Sequence, residues 1–141
     1  MKGVHPILSH SVLLVISLVA MGMIIASLTA SFSGTESGLL RSEINYIAET
    51  ARSQILDIYQ LASQSDYANG TFELELPEKI GDKKYVLLLE DSKLKVRMPY
   101  ENDYVEVEKT LNINAQLSGE ASLPASLVVE KNGVISISLV G

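Results

Sequence analysis

The sequence predicts an α+β chain: a long N-terminal hydrophobic and amphipathic α-helix, followed by a C-terminal antiparallel β-sandwich of about seven strands. Three observations carry this. Residues 3–35 contain no charged side chain. The stretch after them repeats apolar residues at steps of three and four, and beyond residue 70 the apolar residues alternate. The expected organisation is therefore a short leader over 1–3, a helix over 4–65 and a β-domain over 70–141. Within the helix, 4–35 is apolar and 36–65 amphipathic.

The apolar core of the first segment, residues 12–32, reads VLLVISLVAMGMIIASLTASF. Its length matches the roughly 20 residues a helix needs to cross about 30 Å of hydrocarbon. Ser17, Gly22, Ser27 and Thr29 interrupt it, and serine and threonine are tolerated in lipid because their hydroxyls bond back to the preceding turn. Pro6 marks the expected helix start, where a missing N–H costs nothing. A cleaved secretory signal ending near Ser31-Phe32-Ser33 is one alternative, although the apolar stretch is longer than the roughly 7–15 residues of that class. A plain single-span anchor is the other.

After Ser33-Gly34-Thr35, apolar residues fall at Leu40, Ile44, Ile47, Ala51, Ile55, Ile58 and Ala62, forming one stripe of a helix. Ser42, Glu43, Glu49, Arg52, Ser53, Asp57 and Gln60 occupy the opposite side. Ser33 or Thr35 is positioned to cap this segment, with Glu36 near the positive end of its dipole. The stripe is expected to cover the chain's own core.

Turn chemistry at Ser65-Asp66-Tyr67-Ala68-Asn69-Gly70 ends the helical period. Thr71 to Leu76 places Phe72, Leu74 and Leu76 on one face, and Tyr85 to Leu89 is apolar on both, as in an inner strand. Leu94, Val96 and Met98 alternate with Lys93, Lys95 and Arg97; Val105 and Val107 alternate with Tyr104, Glu106 and Glu108. These two runs predict a hairpin around residues 99–103, with a ladder of opposite charges on its outer face. Leu111, Ile113, Ala115 and Leu117 form the next strand. The last two, 127–130 and 134–140, meet around Lys131-Asn132-Gly133, a strong hairpin signal.

A formal net charge of −6 over 141 residues, without a basic patch, argues against nucleic acid as a partner. With no cysteine, disulfides, thiolate metal sites and lipid-modified cysteine anchors are excluded. Both histidines, His5 and His10, lie before or at the entry to the span, so a Ser-His-Asp relay or a histidine metal site is not expected in the soluble part. Glu101, Asp103, Glu106 and Glu108 cluster in sequence, yet their spacing matches no calcium loop, and alternation explains the last two as an outward face. No enzyme activity, metal or cofactor is expected. Lys2 precedes the span, and the positive-inside rule then places the β-domain outside the cytoplasm. There Asn69-Gly70-Thr71 reads as an N-glycosylation sequon in a loop.

Lys2-Gly3 followed by a long apolar helix resembles the class III signal of archaeal type IV pilins and archaellins, in which a prepilin peptidase cuts after a basic-glycine pair. The amphipathic continuation and β-rich C-terminal domain match that layout. The stretch Leu76-Pro77-Glu78-Lys79-Ile80-Gly81-Asp82-Lys83-Lys84-Tyr85 also resembles the Leu-Pro…Ile-Gly…Tyr opening of β-domains in archaeal pilin-like proteins. The resemblance implies processing at Lys2, Gly3 and Val4, and a homopolymer or a polymer with related pilins. It implies storage in the membrane before assembly, with the peptidase and an assembly platform as partners, and a cell-surface filament in which Leu13, Ile16, Ala20, Ile24 and Leu28 pack in the core. The pattern differs at three points: the signal would be only residues 1–3, Pro6 falls near the mature start, and Leu8 stands where bacterial pilins commonly have glutamate. Archaellum stator subunits, which share the anchor and sandwich plan, are the non-polymerising alternative.

Overall fold

The computed structural model describes the backbone of residues 4–65 and 69–141, and their side chains except those of 4–10 and 32–37. Lys2 and Gly3 of the expected processing site lie outside the described residues, as do Asp66 to Ala68 of the expected turn; Val4 is the first helical residue. The chain separates into two compact units, with the division between Leu39 and Leu40. The amphipathic half of the helix thus belongs to the same unit as the strands.

Among the described residues one helix, α1, runs from Val4 to Gln64. It begins two residues before Pro6, which leaves the proline in the first turn, where the absent N–H has no intrahelical partner to lose. The backbone stays helical through 33–35, so there is no second helix start for Ser33 or Thr35 to cap. Gly34 and Gly38 each cost a helix only about 1 kcal/mol relative to alanine, which is too little to break it here. Thr29 Oγ1 donates to the Ile25 carbonyl at 2.9 Å, the back-bond that makes a hydroxyl tolerable in an apolar helix.

Within the unit beginning at Leu40, Ile44, Ile47, Ala51, Ile55, Ile58 and Ala62 are buried and Leu40 is half-buried. The helical period had left out Ala48, which is fully buried beside them. Gln54 ties the helix to the following chain: its Nε2 donates to the Glu75 carbonyl and its Oε1 accepts from the Glu75 N–H, both at 3.0 Å. At the helix end, Lys131 Nζ donates to the carbonyls of Ala62 (3.0 Å) and Ser65 (2.6 Å), filling the role that a C-terminal glycine or basic last turn plays elsewhere.

Among the described residues ten strands follow: β1 (Gly70–Glu73), β2 (Lys79–Ile80), β3 (Lys83–Lys84), β4 (Val86–Glu90), β5 (Lys93–Tyr100), β6 (Asp103–Thr110), β7 (Ala115–Ser118), β8 (Glu120–Ser122), β9 (Ser126–Lys131) and β10 (Ile135–Val140). Seven correspond to the expected strands. The additional β2, β3 and β8 are two or three residues long, too short for alternation to register. The strands form sheets ordered β1-β9-β10-β7 and β6-β5-β4-β8, with β2-β3 as a separate two-stranded hairpin. One pairing departs from an all-antiparallel sandwich, since β7 runs parallel to β10. The strand expected over 71–76 ends at Glu73, where Gln54 takes over the backbone of Glu75 and Leu76 N–H turns back to the Leu74 carbonyl.

Leu87, Leu89, Leu94, Val96 and Met98 of one sheet, Leu127, Val129 and Ile137 of the other, and the helical stripe form a single apolar cluster. Full burial of each such aliphatic side chain contributes roughly 1.5–3 kcal/mol, which allows a unit without disulfides to fold on its core. Tyr85 is fully buried, with its hydroxyl donating to the Pro77 carbonyl; burial pushes its ionisation well above the usual phenol value. The chain passes from one sheet to the other at Gly119, between β7 and β8.

Candidate functional site

The segment Ser11–Ser31 has a mean hydropathy of 2.6 and is long and apolar enough to cross a membrane, and the structure buries none of it. Its large apolar side chains are exposed to between 53% at Val19 and 69% at Met23. A helix that is apolar all round is stable only where its surroundings are apolar. The core helix of a soluble fold would be covered; this one is not. Leu13, Ile16, Ala20, Ile24 and Leu28 all lie on this exposed surface, but so do Leu14, Val15, Leu18, Met21 and Ile25, and no stripe differs from its neighbours.

The hairpin of β5 and β6 forms as expected, with a two-residue turn at Glu101-Asn102 and Val96 opposite Val107. Its charge ladder is also present, with its partners shifted. Lys95 stands opposite Glu108 in register, but Glu108 pairs diagonally with Lys93 at 2.7 Å, and Lys95 reaches Glu90 of β4 at 3.7 Å. Arg97 meets Glu106 directly at 2.8 Å and lies over the Tyr104 ring. The hydrogen bond from Lys93 holds the Glu108 carboxyl below the ordinary range, and Glu108 raises Lys93 in return. Glu106 and Glu108 of the sequence cluster 101–108 are therefore committed to cations. Among the described residues no group of three histidine, cysteine or acidic side chains is placed to hold a metal.

An open groove lies between helix residues Ser42, Glu43, Tyr46 and Ile47 and residues Pro77, Lys79, Ile80 and Gly81 around the β2–β3 hairpin. Tyr46 is 70% exposed at its rim. The helical period marked Ile47 as core and gave Tyr46 no role.

Asn69 is exposed just before β1. Its Oδ1 accepts from the Lys131 N–H at 2.9 Å, extending the β1–β9 ladder, which begins with Gly70 opposite Val129. The sequence reading placed Asn69 in a loop; the structure adds a local hydrogen-bonding role that depends on a partner 62 residues away.

Compared with protein-family models, with curated proteins and with solved structures, the chain matches none.

Proposed function

We propose that this chain is the structural subunit of an extracellular filament of the type IV pilus or archaellum kind, not an enzyme. The carrying observation is the contrast along α1: residues 44–62 are built into the chain's own core, while 11–31 are apolar on every side and have no cover. Such a surface needs lipid before assembly and copies of itself afterwards. Lipid and a bundle of apolar helices are nearly equal as solvents, so helix packing and an energy-driven assembly platform must drive the transfer. The small residues Ala20, Gly22 and Ala26 permit close helix approach within that core. On this reading a prepilin peptidase cuts after Lys2-Gly3, and the β-bearing unit lies outside the cell, facing neighbours or surfaces.

The uniform apolarity of the span also suits a helix that stays in lipid, and this favours a second reading: a non-polymerising anchored binding or stator-like module. Electron microscopy of the extracted protein separates the two. Helical filaments are expected, and a homogeneous population of detergent-solubilised monomers or dimers from surface-exposed material would support the anchor. Intact mass adds a further test. A mature chain beginning at Val4 is expected, whereas one beginning near Gly34 would identify the span as a removed secretory signal.

A further inference from the structure

We infer that the β2–β3 hairpin is a contact for anionic lipid headgroups, made by Lys79 and Lys84. The inference rests on the proposed membrane placement of residues 11–31 and holds whether or not the copies later polymerise. Elsewhere in the strand-bearing unit the cations are partnered. Arg52, Lys93, Lys95, Arg97 and Lys109 reach carboxylates, and Lys131 Nζ reaches the carbonyls at the end of α1. Arg41, Lys79, Lys83 and Lys84 form no ion pair among the described residues. These four gather where the chain enters the unit: Arg41 directly precedes the groove residues Ser42 and Glu43, and Lys79 lines the same groove from β2.

The hairpin sets two of these charges against each other. Lys79 stands directly opposite Lys84, and both are exposed. Like charges in such a cross-strand pair repel, and a hairpin with two residues in each strand has little pairing to oppose that. Ile80 and Lys83 occupy the other face, where Ile80 is buried and Lys83 lies over the Tyr100 ring at 5.4 Å. Burial of Ile80 anchors the hairpin, so the lysine pair is held on the outward face. Glu78 and Asp82 are interleaved with these lysines in sequence, but among the described residues neither is paired with a cation.

An anion shared by the two lysines would turn this repulsion into attraction, and a bilayer surface supplies one. Only residues 32–40 link the span to this end of the unit, about 15 Å of helix. That keeps the hairpin near the bilayer whatever the angle between the two units. The headgroup layer extends about 5–7 Å beyond the hydrocarbon, and charges act over about 8 Å at physiological salt. Cations next to a span are drawn to anionic lipid over such distances.

The test is hydrogen exchange of the full chain in bilayer nanodiscs of phosphatidylcholine alone, or of phosphatidylcholine mixed with phosphatidylglycerol. In the anionic discs the amides of residues 79–84 should exchange about two- to fivefold more slowly, and high salt should abolish the difference. The β9–β10 turn, which Lys131 ties to the far end of α1 at Ala62, should exchange alike in both. Lys79→Gln with Lys84→Gln should remove the lipid dependence and, with the repulsion gone, slow hairpin exchange in neutral discs below the wild-type rate. Equal wild-type exchange in the two bilayers would overturn the headgroup contact. So would the same slowing on adding inorganic phosphate to neutral discs, which would make the pair a site for a soluble anion. A chain that enters neither kind of disc would instead overturn the membrane placement of the span.

Discussion

Gly119 shows how much one residue can decide in this fold. It sits at φ +115°, and a Cβ there would lie 2.4 Å from the Leu139 carbonyl oxygen and 2.8 Å from the Leu139 nitrogen. Both are backbone atoms that cannot rotate away, and the backbone angle itself disfavours any L side chain. Gly119→Ala should therefore lower unfolding stability by more than about 1 kcal/mol, measured by denaturant titration, with the passage between the two sheets the first region to lose hydrogen-exchange protection. Lys131 is a second case. Replacing it with methionine keeps the stem but removes the ammonium from the Ala62 and Ser65 carbonyls, and should cost about 1.5–3 kcal/mol. Exchange should rise first in the last turn of α1. Neither role was legible in the sequence: the residues that need them, Leu139 and Ala62, are far along the chain, and glycine and lysine are also common at surfaces.

For the elements, legibility followed period and length. The stripe from Ile44 to Ala62 was readable because steps of three and four have no other economical explanation, and its burial is as expected. Ile55→Ala should cost about 2–5 kcal/mol by thermal or chemical unfolding, whereas Tyr46→Ala, at an exposed site, should change stability by no more than about 0.5 kcal/mol. Equal losses at the two positions would mean that the helix is rotated from its observed setting. Alternation likewise revealed seven strands, while β2, β3 and β8 were too short, and the parallel partner of β7 depends on a crossover that no local pattern encodes. The ladder on β5 and β6 was readable in outline but not in its diagonals. Reversing Lys93 and Glu108 together should recover most of what either single reversal loses, with the coupling fading in high salt because both groups are exposed. The pH dependence has a definite sign. Glu108 and Glu49 are held below the ordinary carboxylate value by Lys93 and Lys109, so their contribution is complete above about pH 4.5 and is lost as pH falls through the depressed folded values. Unfolding midpoints should drop over that acid range, and Glu108→Gln should flatten the drop.

At the scale of the whole molecule, composition alone marks the apolar span, and the structure adds that the chain provides no cover for it. Which face meets a neighbour was not legible, because every side is equally apolar and one copy does not contain its partner's surface. Symmetry makes the proposed filament testable without knowing that face. A filament grows through heterologous contacts, in which one patch meets a different patch on the next copy, whereas a closed dimer uses one patch twice. The chain contains no cysteine, so introduced thiols report unambiguously. With Leu13→Cys and Ile24→Cys in the same chain, each copy has two attachment points at different heights of the span. In an open assembly, a short bis-maleimide can then link one copy to a neighbour on either side, producing a ladder of trimers and larger species on a denaturing gel. An isologous anchor stops at the dimer even with both thiols present, and a monomeric anchor gives no ladder. Either single-cysteine variant should stop at the dimer in every case, which identifies linkage through the span itself as the source of the ladder. A ladder confined to dimers in the double variant, when intact cells are cross-linked so that surface-assembled material is included with the membrane-stored pool, would overturn the filament reading and leave the anchored module.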